Sequence, residues 1–297
     1  MKIGIIGAGK WGQALQSALL EKNEVYITSR TKKDLLNFVS LDEIMKIEFL
    51  IIALPAQIIR EWLTNNRLSQ DKKVLVASKG IDAKSGQFLN QIYEKYIPSK
   101  NLLYLSGPSF AKEVEKKLPT ALVINSYDEN LAKTYASFFP DFIKIYLSDD
   151  VVGAEIAGAY KNVIAIAAGI CDGLQLGNNA KASLLARGLV EMERFGRFFG
   201  AKADTFLGLS GAGDLFLTAN STLSRNYRVG LKIAARKNIK DIISELGEVA
   251  EGVYTAEAIY KISTKNGIYT PIALEVYKVI NGKNPLDSLK DLLNENR

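Results

Sequence analysis

The first half of the chain alternates short apolar, β-rich runs with segments whose apolar positions recur at helical spacing. Ile3–Ile6, Glu24–Thr28, Phe49–Ala53, Lys73–Ala77, Leu102–Ser106, Thr120–Ile124 and Phe142–Leu147 read as strands. Most are continuously apolar, as strands covered by helices on both faces should be. Between the first two, Trp11, Leu15, Ala18 and Leu19 fall on one face of a helix. Such alternation predicts a Rossmann-like, mostly parallel, doubly wound sheet. From Asp150 onward helical spacing dominates, Gly177, Gly200, Gly267, Pro271 and Pro285 divide the helices, and no run reads as a strand. The expected organisation is α/β followed by all-α: a dinucleotide-binding domain over 1–147, then a helical substrate-binding and catalytic domain over 148–297. With no low-complexity linker or internal repeat, the two are expected to pack tightly and share a cleft.

Gly7-Ala8-Gly9-Lys10-Trp11-Gly12 is a G-x-G-x-x-G that follows a β run and opens an amphipathic helix. In that context the first glycine makes a tight turn and the second lets backbone approach a pyrophosphate. The third lets helix pack on strand. The helix N-terminus then offers N–H groups and a positive dipole end to phosphate. The competing reading is an ordinary strand–helix turn. The second strand runs into Ser29-Arg30, where an NAD-selective site usually places an acidic residue for the ribose 2′-hydroxyl. A guanidinium suits a 2′-phosphate, which favours NADPH or a site accepting NADPH and NADH alike; the alternative is a solvated arginine.

Composition narrows the chemistry. With 47% hydrophobic and 24% charged residues the chain of 297 can bury a sizeable core. Its one cysteine, Cys171, rules out an intrachain disulfide and fits a reducing, cytoplasmic setting. The chain runs from Met1 straight into a strand without the layout of a signal peptide. Val151–Cys171 is apolar enough to invite a membrane reading, but Glu155 and Lys161 interrupt it, and a span needs roughly 20 apolar residues. It is expected to be a buried helix. The net charge of +6 is spread along the chain and balanced locally, as in Lys112-Glu113-Val114-Glu115-Lys116-Lys117, so it points to small acidic ligands and not to nucleic acid. There is no histidine. Histidine bases, histidine metal ligands and Ser-His-Asp triads are therefore excluded; no metal is expected, and a proton must be handled by lysine, a carboxylate or tyrosine.

Four segments are unusual for packing alone. Ser78-Lys79-Gly80 and Ser106-Gly107-Pro108-Ser109-Phe110-Ala111 follow predicted strands, at the carboxyl ends where open α/β sheets gather ligands. Gly158-Ala159-Tyr160-Lys161-Asn162-Val163 places a lysine inside an otherwise apolar helix. It either snorkels or pairs with a carboxylate such as Glu155, or sits buried at a site and works as acid and base near neutrality. Finally, Gly211-Ala212-Gly213-Asp214 precedes Ser224-Arg225-Asn226 at the start of a helix. The trio offers hydroxyl, guanidinium and amide donors to a phosphate, with simple N-capping by Ser224 as the alternative.

With these motifs the chain resembles the bacterial sn-glycerol-3-phosphate dehydrogenase (NAD(P)+) family. The likeness runs from Lys2 to about Pro271 through GAGKWG, LSGPSFAKEV, LPTALVI, GAYKNVIAIAAGICDGL, NAKASLLARGL, GAGDL, LSRN and EVAEGVYTA. It implies reversible reduction of dihydroxyacetone phosphate with NADPH or NADH, supplying phospholipid synthesis. Lys161 would exchange the proton, with Lys79 and Asp214 assisting. Lys79, Gly107, Ser109, Lys161, Asp214, Ser224, Arg225 and Asn226 would line the substrate. Gly7, Gly9, Lys10, Trp11, Gly12, Arg30, Lys79, Ala111, Arg225, Val249 and Glu251 would line the cofactor. The implied partner is a small phosphorylated molecule, with no nucleic acid and no membrane insertion; a homodimer is compatible with this reading. The family more often has leucine where Tyr160 stands, a bulkier residue at Ala212, and Cys-Thr at Asn220-Ser221. Two rivals share the architecture: a ketopantoate or 3-hydroxyacid reductase, which lacks the Ser-Arg-Asn anchor, and a non-catalytic dinucleotide sensor, which has no use for Lys161 or Asp214.

Overall fold

The computed structural model describes residues 1–246 and 250–294. Among the described residues nine strands form: β1 (Lys2–Ile6), β2 (Glu24–Thr28), β3 (Phe49–Ile52), β4 (Lys73–Val76), β5 (Ile81–Asp82), β6 (Gln87–Phe88), β7 (Leu102–Ser106), β8 (Thr120–Asn125) and β9 (Ile143–Ser148). The helices of the first part are α1 (Lys10–Leu19), α2 (Leu41–Ile44), α3 (Ile59–Asn65), α4 (Leu89–Tyr93), α5 (Ala111–Glu115) and α6 (Glu129–Ser137). Then follow α7 (Val151–Gly173), α8 (Gly177–Phe198), α9 (Ala203–Leu207), α10 (Asp214–Ala219), α11 (Arg225–Ala234), α12 (Ile239–Leu246), α13 (Glu251–Asn266), α14 (Pro271–Ile280) and α15 (Pro285–Asn294). The chain divides into two compact units: Met1–Lys79 with Leu89–Glu155, and Gly80–Phe88 with Ile156–Arg297.

The first unit is built on a seven-stranded sheet in the order β2-β1-β3-β4-β7-β8-β9. All neighbours are parallel except β7 and β8. The seven strands are those expected from the apolar runs, displaced by no more than a residue at their ends. Alternation along each strand feeds two cores. Ile3, Ile5, Val25, Ile27, Ile51, Leu75 and Leu103 pack on one face with α1 and Tyr135, while Leu50, Ile52, Val74, Val76, Leu102 and Tyr104 pack on the other. On α1 the buried arc is wider than expected, since Gly12, Ala14 and Gln16 are buried beside Leu15, Ala18 and Leu19.

The second unit is helical apart from the β5–β6 hairpin, in which Ile81 pairs with Phe88. These two-residue strands are too short to show a periodicity. The hairpin joins the helices through Phe88, whose ring meets Phe199 edge-on at 5.1 Å. Helix α7 is long and apolar enough to cross a membrane by composition, yet 94% of its most apolar window is buried inside the protein.

Glu155 lies in the second turn of α7, in the first unit. It does not pair with Lys161. Its carboxylate accepts the backbone N–H of Asn90 at 2.8 Å, in the first turn of α4. Burial pushes this carboxyl from 4.5 up to about 8, against the lowering effect of that hydrogen bond. The folded chain therefore holds a proton there across a window in which an unfolded glutamate has lost it. Stability from this group is complete below the ordinary carboxylate range and declines as pH rises through about 8. Glu155→Gln keeps a neutral acceptor, so a plot of unfolding free energy against pH should fall less steeply over that window. Superimposable slopes for wild type and variant would exclude the effect.

Candidate active site

In the first unit the glycine loop joins β1 to α1 at the carboxyl edge of the sheet. Gly7 has φ +114, and a Cβ there would lie 2.5 Å from the Ala53 carbonyl oxygen that follows β3. A Cβ on Gly12 would lie 1.8 Å from the Gly7 carbonyl oxygen, so the first turn of α1 closes directly over the loop. Gly9 differs: a Cβ there would meet nothing within 4 Å, and as the N-cap of α1 it brings no side-chain cap. The arrangement leaves room for an anion against the helix start, and these residues fit a dinucleotide pyrophosphate. Lys10 is exposed and Trp11 partly buried against the core.

The end of β2 is tied to the same loop, since the Gly7 N–H donates to the Thr28 carbonyl at 2.9 Å. Exposed Arg30 follows two residues later. Lys33 Nζ donates to the Ala8 carbonyl at 2.5 Å, bringing a second cation to the loop that the sequence reading passed over. Its only signal was membership of the Arg30–Lys33 basic stretch. After β4 and β7, Lys79, Gly107 and Ser109 do come together. Lys79 Nζ donates to the Gly107 carbonyl at 3.1 Å and Ser109 Oγ donates to it at 3.2 Å. Gly107 has φ +100, which turns the chain sharply out of β7. Ala111 opens α5 and packs against the core.

In the second unit Lys161 and Asp214 form a buried ion pair, their side chains 9% and 2% exposed. Lys161 Nζ also donates to Thr218 Oγ1 at 2.9 Å, and that hydroxyl lies 3.3 Å from Asp214 Oδ1. Asp214 opens α10 directly after a π turn over Leu209–Gly213, and Thr218 stands one helical turn further on. Thr218 was not among the expected residues. Its i+4 spacing from Asp214 was the available signal, because that spacing puts both on one helix face. Gly211 allows the turn: a Cβ there would sit 2.2 Å from the Phe206 carbonyl oxygen.

The Ser-Arg-Asn segment does begin a helix, α11. Ser224 Oγ accepts the Tyr227 N–H at 3.2 Å, so it is an N-cap whose hydroxyl proton can still serve a ligand. Arg225 is exposed at the first helical position. Asn226 is buried, and its Oδ1 accepts the Gly252 N–H at 3.0 Å, which holds the first turn of α13 against α11. Glu251 opens α13; Val249 lies outside the described residues.

A second buried carboxylate, Glu191 on α8, accepts the backbone N–H groups of Ile272 and Ala273 and the Tyr160 hydroxyl, each at 2.8 Å. Burial pushes its carboxyl up to about 7, opposed by these three hydrogen bonds.

A dinucleotide-type loop on a Rossmann-like sheet, followed by a buried lysine–carboxylate pair in a helical unit, narrows the field to NAD(P)-linked dehydrogenases. The family profile for the NAD-dependent glycerol-3-phosphate dehydrogenase N-terminus matches residues 30–132, and that for its C-terminus residues 150–291. The chain belongs to the NAD-dependent glycerol-3-phosphate dehydrogenase family. It is 66% identical over 296 residues to the glycerol-3-phosphate dehydrogenase (NAD(P)+) of a Nitratiruptor species, covering 100% of this chain and 99% of that one. Identity to the protein of the same name from Sulfurimonas denitrificans is 61% over 292 residues, covering 98% of this chain and 99% of that one. The crystal structure of glycerol-3-phosphate dehydrogenase from Coxiella burnetii superposes with a TM-score of 0.92 at 29% identity, over 99% of each chain.

The contrast between Gly9 and Gly12 is testable without ligand. Gly12→Ala should cost about 1–3 kcal/mol, because its methyl has to displace backbone. Gly9→Ala should stay within about 0.5 kcal/mol of wild type, as its methyl enters open space. Urea unfolding of both variants reads the difference, and equal losses would contradict the loop geometry.

Proposed function

We propose that this chain reduces dihydroxyacetone phosphate to sn-glycerol 3-phosphate with NAD(P)H, reversibly, in the cytoplasm, and so supplies a precursor of glycerophospholipids. The observation that carries the reading is the buried Lys161–Asp214–Thr218 cluster. In a chain without histidine, it is a proton-bearing group held in a defined position. The first unit, Met1–Lys79 with Leu89–Glu155, is read as the dinucleotide-binding domain expected over 1–147, and the helical second unit, which also takes Gly80–Phe88, as the substrate and catalytic domain expected over 148–297.

Gly7, Gly9 and Gly12 shape the loop for the pyrophosphate, with Lys10 and the start of α1 adding positive potential. On the sheet unit Trp11, Arg30 and Ala111 are assigned to the dinucleotide, Arg30 being the group suited to a 2′-phosphate, while Arg225, Val249 and Glu251 are assigned to it by the family resemblance alone. When bound, the nicotinamide supplies the hydride that reduces the ketone carbon. Lys161, as an ammonium, donates a proton to the oxygen that becomes the hydroxyl, and in the oxidative direction takes it back. Asp214 and Thr218 hold its Nζ in place. Lys79, held by Gly107 and accompanied by Ser109, adds a positive charge that stabilises negative charge on that oxygen. Ser224, Arg225 and Asn226 hold the phosphate. Asn226 does so through its amide N–H groups, since its oxygen is committed to Gly252.

Lys161→Ala should lower kcat by at least about 10²-fold while leaving NADPH binding, followed by fluorescence titration, near wild type. Wild-type turnover in that variant would remove Lys161 from the mechanism. The substrate assignment is tested by kcat/KM on dihydroxyacetone phosphate and on unphosphorylated dihydroxyacetone, in wild type and in Arg225→Ala. A strong wild-type preference for the phosphate ester should largely disappear in the variant, with Arg225→Lys a partial rescue that keeps charge without the planar fork. Equal wild-type use of the two ketones would sink the assignment.

A further inference from the structure

Tyr160 and Glu191 stand next to the chemistry without touching it. Tyr160 immediately precedes Lys161 on α7, in an environment closed to water. Its hydroxyl donates to Glu191 on α8 at 2.8 Å, and its ring packs against Phe195 at a centroid distance of 5.3 Å, one turn further along the same helix. Glu191 is itself fixed, because its two oxygens also accept the N–H groups of Ile272 and Ala273 in the first turn of α14. The N-cap of α14, Thr270, supplies no side-chain cap, so the buried carboxylate of another helix does that work. Tyr160 thus bonds to an acceptor whose position is set from outside α7.

The partner of Lys161 is placed by the same helix α8. A Cβ on Gly196 would lie 2.1 Å from the Phe206 ring, so α9 packs hard against α8 there. Gly211 is seated equally tightly on the Phe206 backbone, and Asp214 begins α10 three residues later. Lys161 and Asp214 therefore meet correctly only if α7 keeps its axial register on α8. Near Lys161 α7 also meets α8 through an apolar contact, Ile164 filling the space over Gly188. Apolar surfaces fix the separation of two helices but tolerate sliding, whereas a directional hydrogen bond between buried groups does not. The tie at the far end, between Lys181 and Asp172, lies at the turn joining the helices, three helical turns from Lys161.

We propose that the Tyr160–Glu191 hydrogen bond is a positioning device for the reaction, setting the register of α7 on α8 and so the place of the Lys161 ammonium against Asp214. The proposal rests on Lys161 being the proton-transferring group. Slippage of one residue moves a helix by about 1.5 Å, and a misplacement of about 1 Å at a reacting group can cost on the order of 10²-fold in rate. Partial loosening, as in Tyr160→Phe, should cost about 10-fold in kcat. The phosphate anchor on α11 packs on α7 at Gly169 and Gly230, a backbone contact that Tyr160→Phe leaves in place, so KM for dihydroxyacetone phosphate should stay within about twofold.

Tyr160→Phe is the informative change, because it removes one oxygen and keeps the ring between α7 and Phe195. Glu191→Gln is its counterpart: an amide presents one acceptor oxygen where three donors converge, and should cost more in kcat. In kcat the two substitutions combined should cost no more than Glu191→Gln alone, since the Tyr160–Glu191 bond is the interaction they share. Introduced into Lys161→Ala, Tyr160→Phe should leave the residual rate unchanged. The proposal is overturned if Tyr160→Phe lowers thermal stability but leaves kcat within twofold of wild type, for the bond is then only structural. It is equally overturned if Tyr160→Phe still slows the Lys161→Ala background. Full turnover in Lys161→Ala itself would be a separate failure, that of the lysine reading on which the proposal stands.

Discussion

The helical unit is organised around a cation it cannot leave unpaired. Removing an ammonium and a carboxylate from water costs several kcal/mol per ion, and their mutual attraction repays this only with good geometry and further hydrogen bonds. Lys161 and Asp214 meet both conditions, in a pair closed to solvent and completed by Thr218. An apolar pair of similar volume would serve stability as well. What an apolar pair could not supply is a proton on a defined atom, and the surrounding helices are shaped accordingly. The π turn that launches Asp214, the glycine that admits it and the buried Glu191–Tyr160 tie all reduce the freedom of this one contact.

The sheet unit solves a different problem, which is to bring backbone close to an anion. It does so by deleting side chains where they would obstruct. Gly7 and Gly12 are demanded by the protein itself, for their Cβ atoms would strike the backbone of Ala53 and of Gly7 respectively. At Gly9, among the described residues, nothing would meet a Cβ, which leaves open room against the start of α1. The basic residues around this loop, Lys10, Arg30 and Lys33, carry charge to a place where helix α1 already presents its positive end. Shape and electrostatics thus agree on a phosphate-bearing ligand.

Several polar side chains are committed to the fold through one group and keep another available to a ligand. Ser224 caps α11 and keeps a hydroxyl proton; Asn226 clamps α13 with its oxygen and keeps its amide donors. The choice between structural and functional roles is a false one for such residues, because hydroxyl and amide groups have separate donor and acceptor sites. Precise placement of the donors follows from satisfying the acceptors within the fold.

The sheet, the glycine loop and the lysine helix follow from the order of residue types alone. Strands covered on both faces must be continuously apolar, a G-x-G-x-x-G between strand and helix has few other uses, and a lysine amid Ala, Ile and Val has to be explained. The sequence also excluded histidine chemistry outright. What it left open was every pairing between residues distant in the chain. Glu155, on the same helix, was the carboxylate that local sequence offered to Lys161, and Asp214 came in only as an assisting group implied by the family resemblance. The fold turned Glu155 toward Asn90 and brought Asp214 across 53 positions of sequence. For the same reason the basic stretch did not place Lys33 at the Ala8 carbonyl, the i+4 spacing from Asp214 did not place Thr218 on the lysine, and nothing local pointed to Glu191 under α14. A hydrogen bond is decided by distance and direction in space, and helical or strand periodicity describes only which face a side chain occupies.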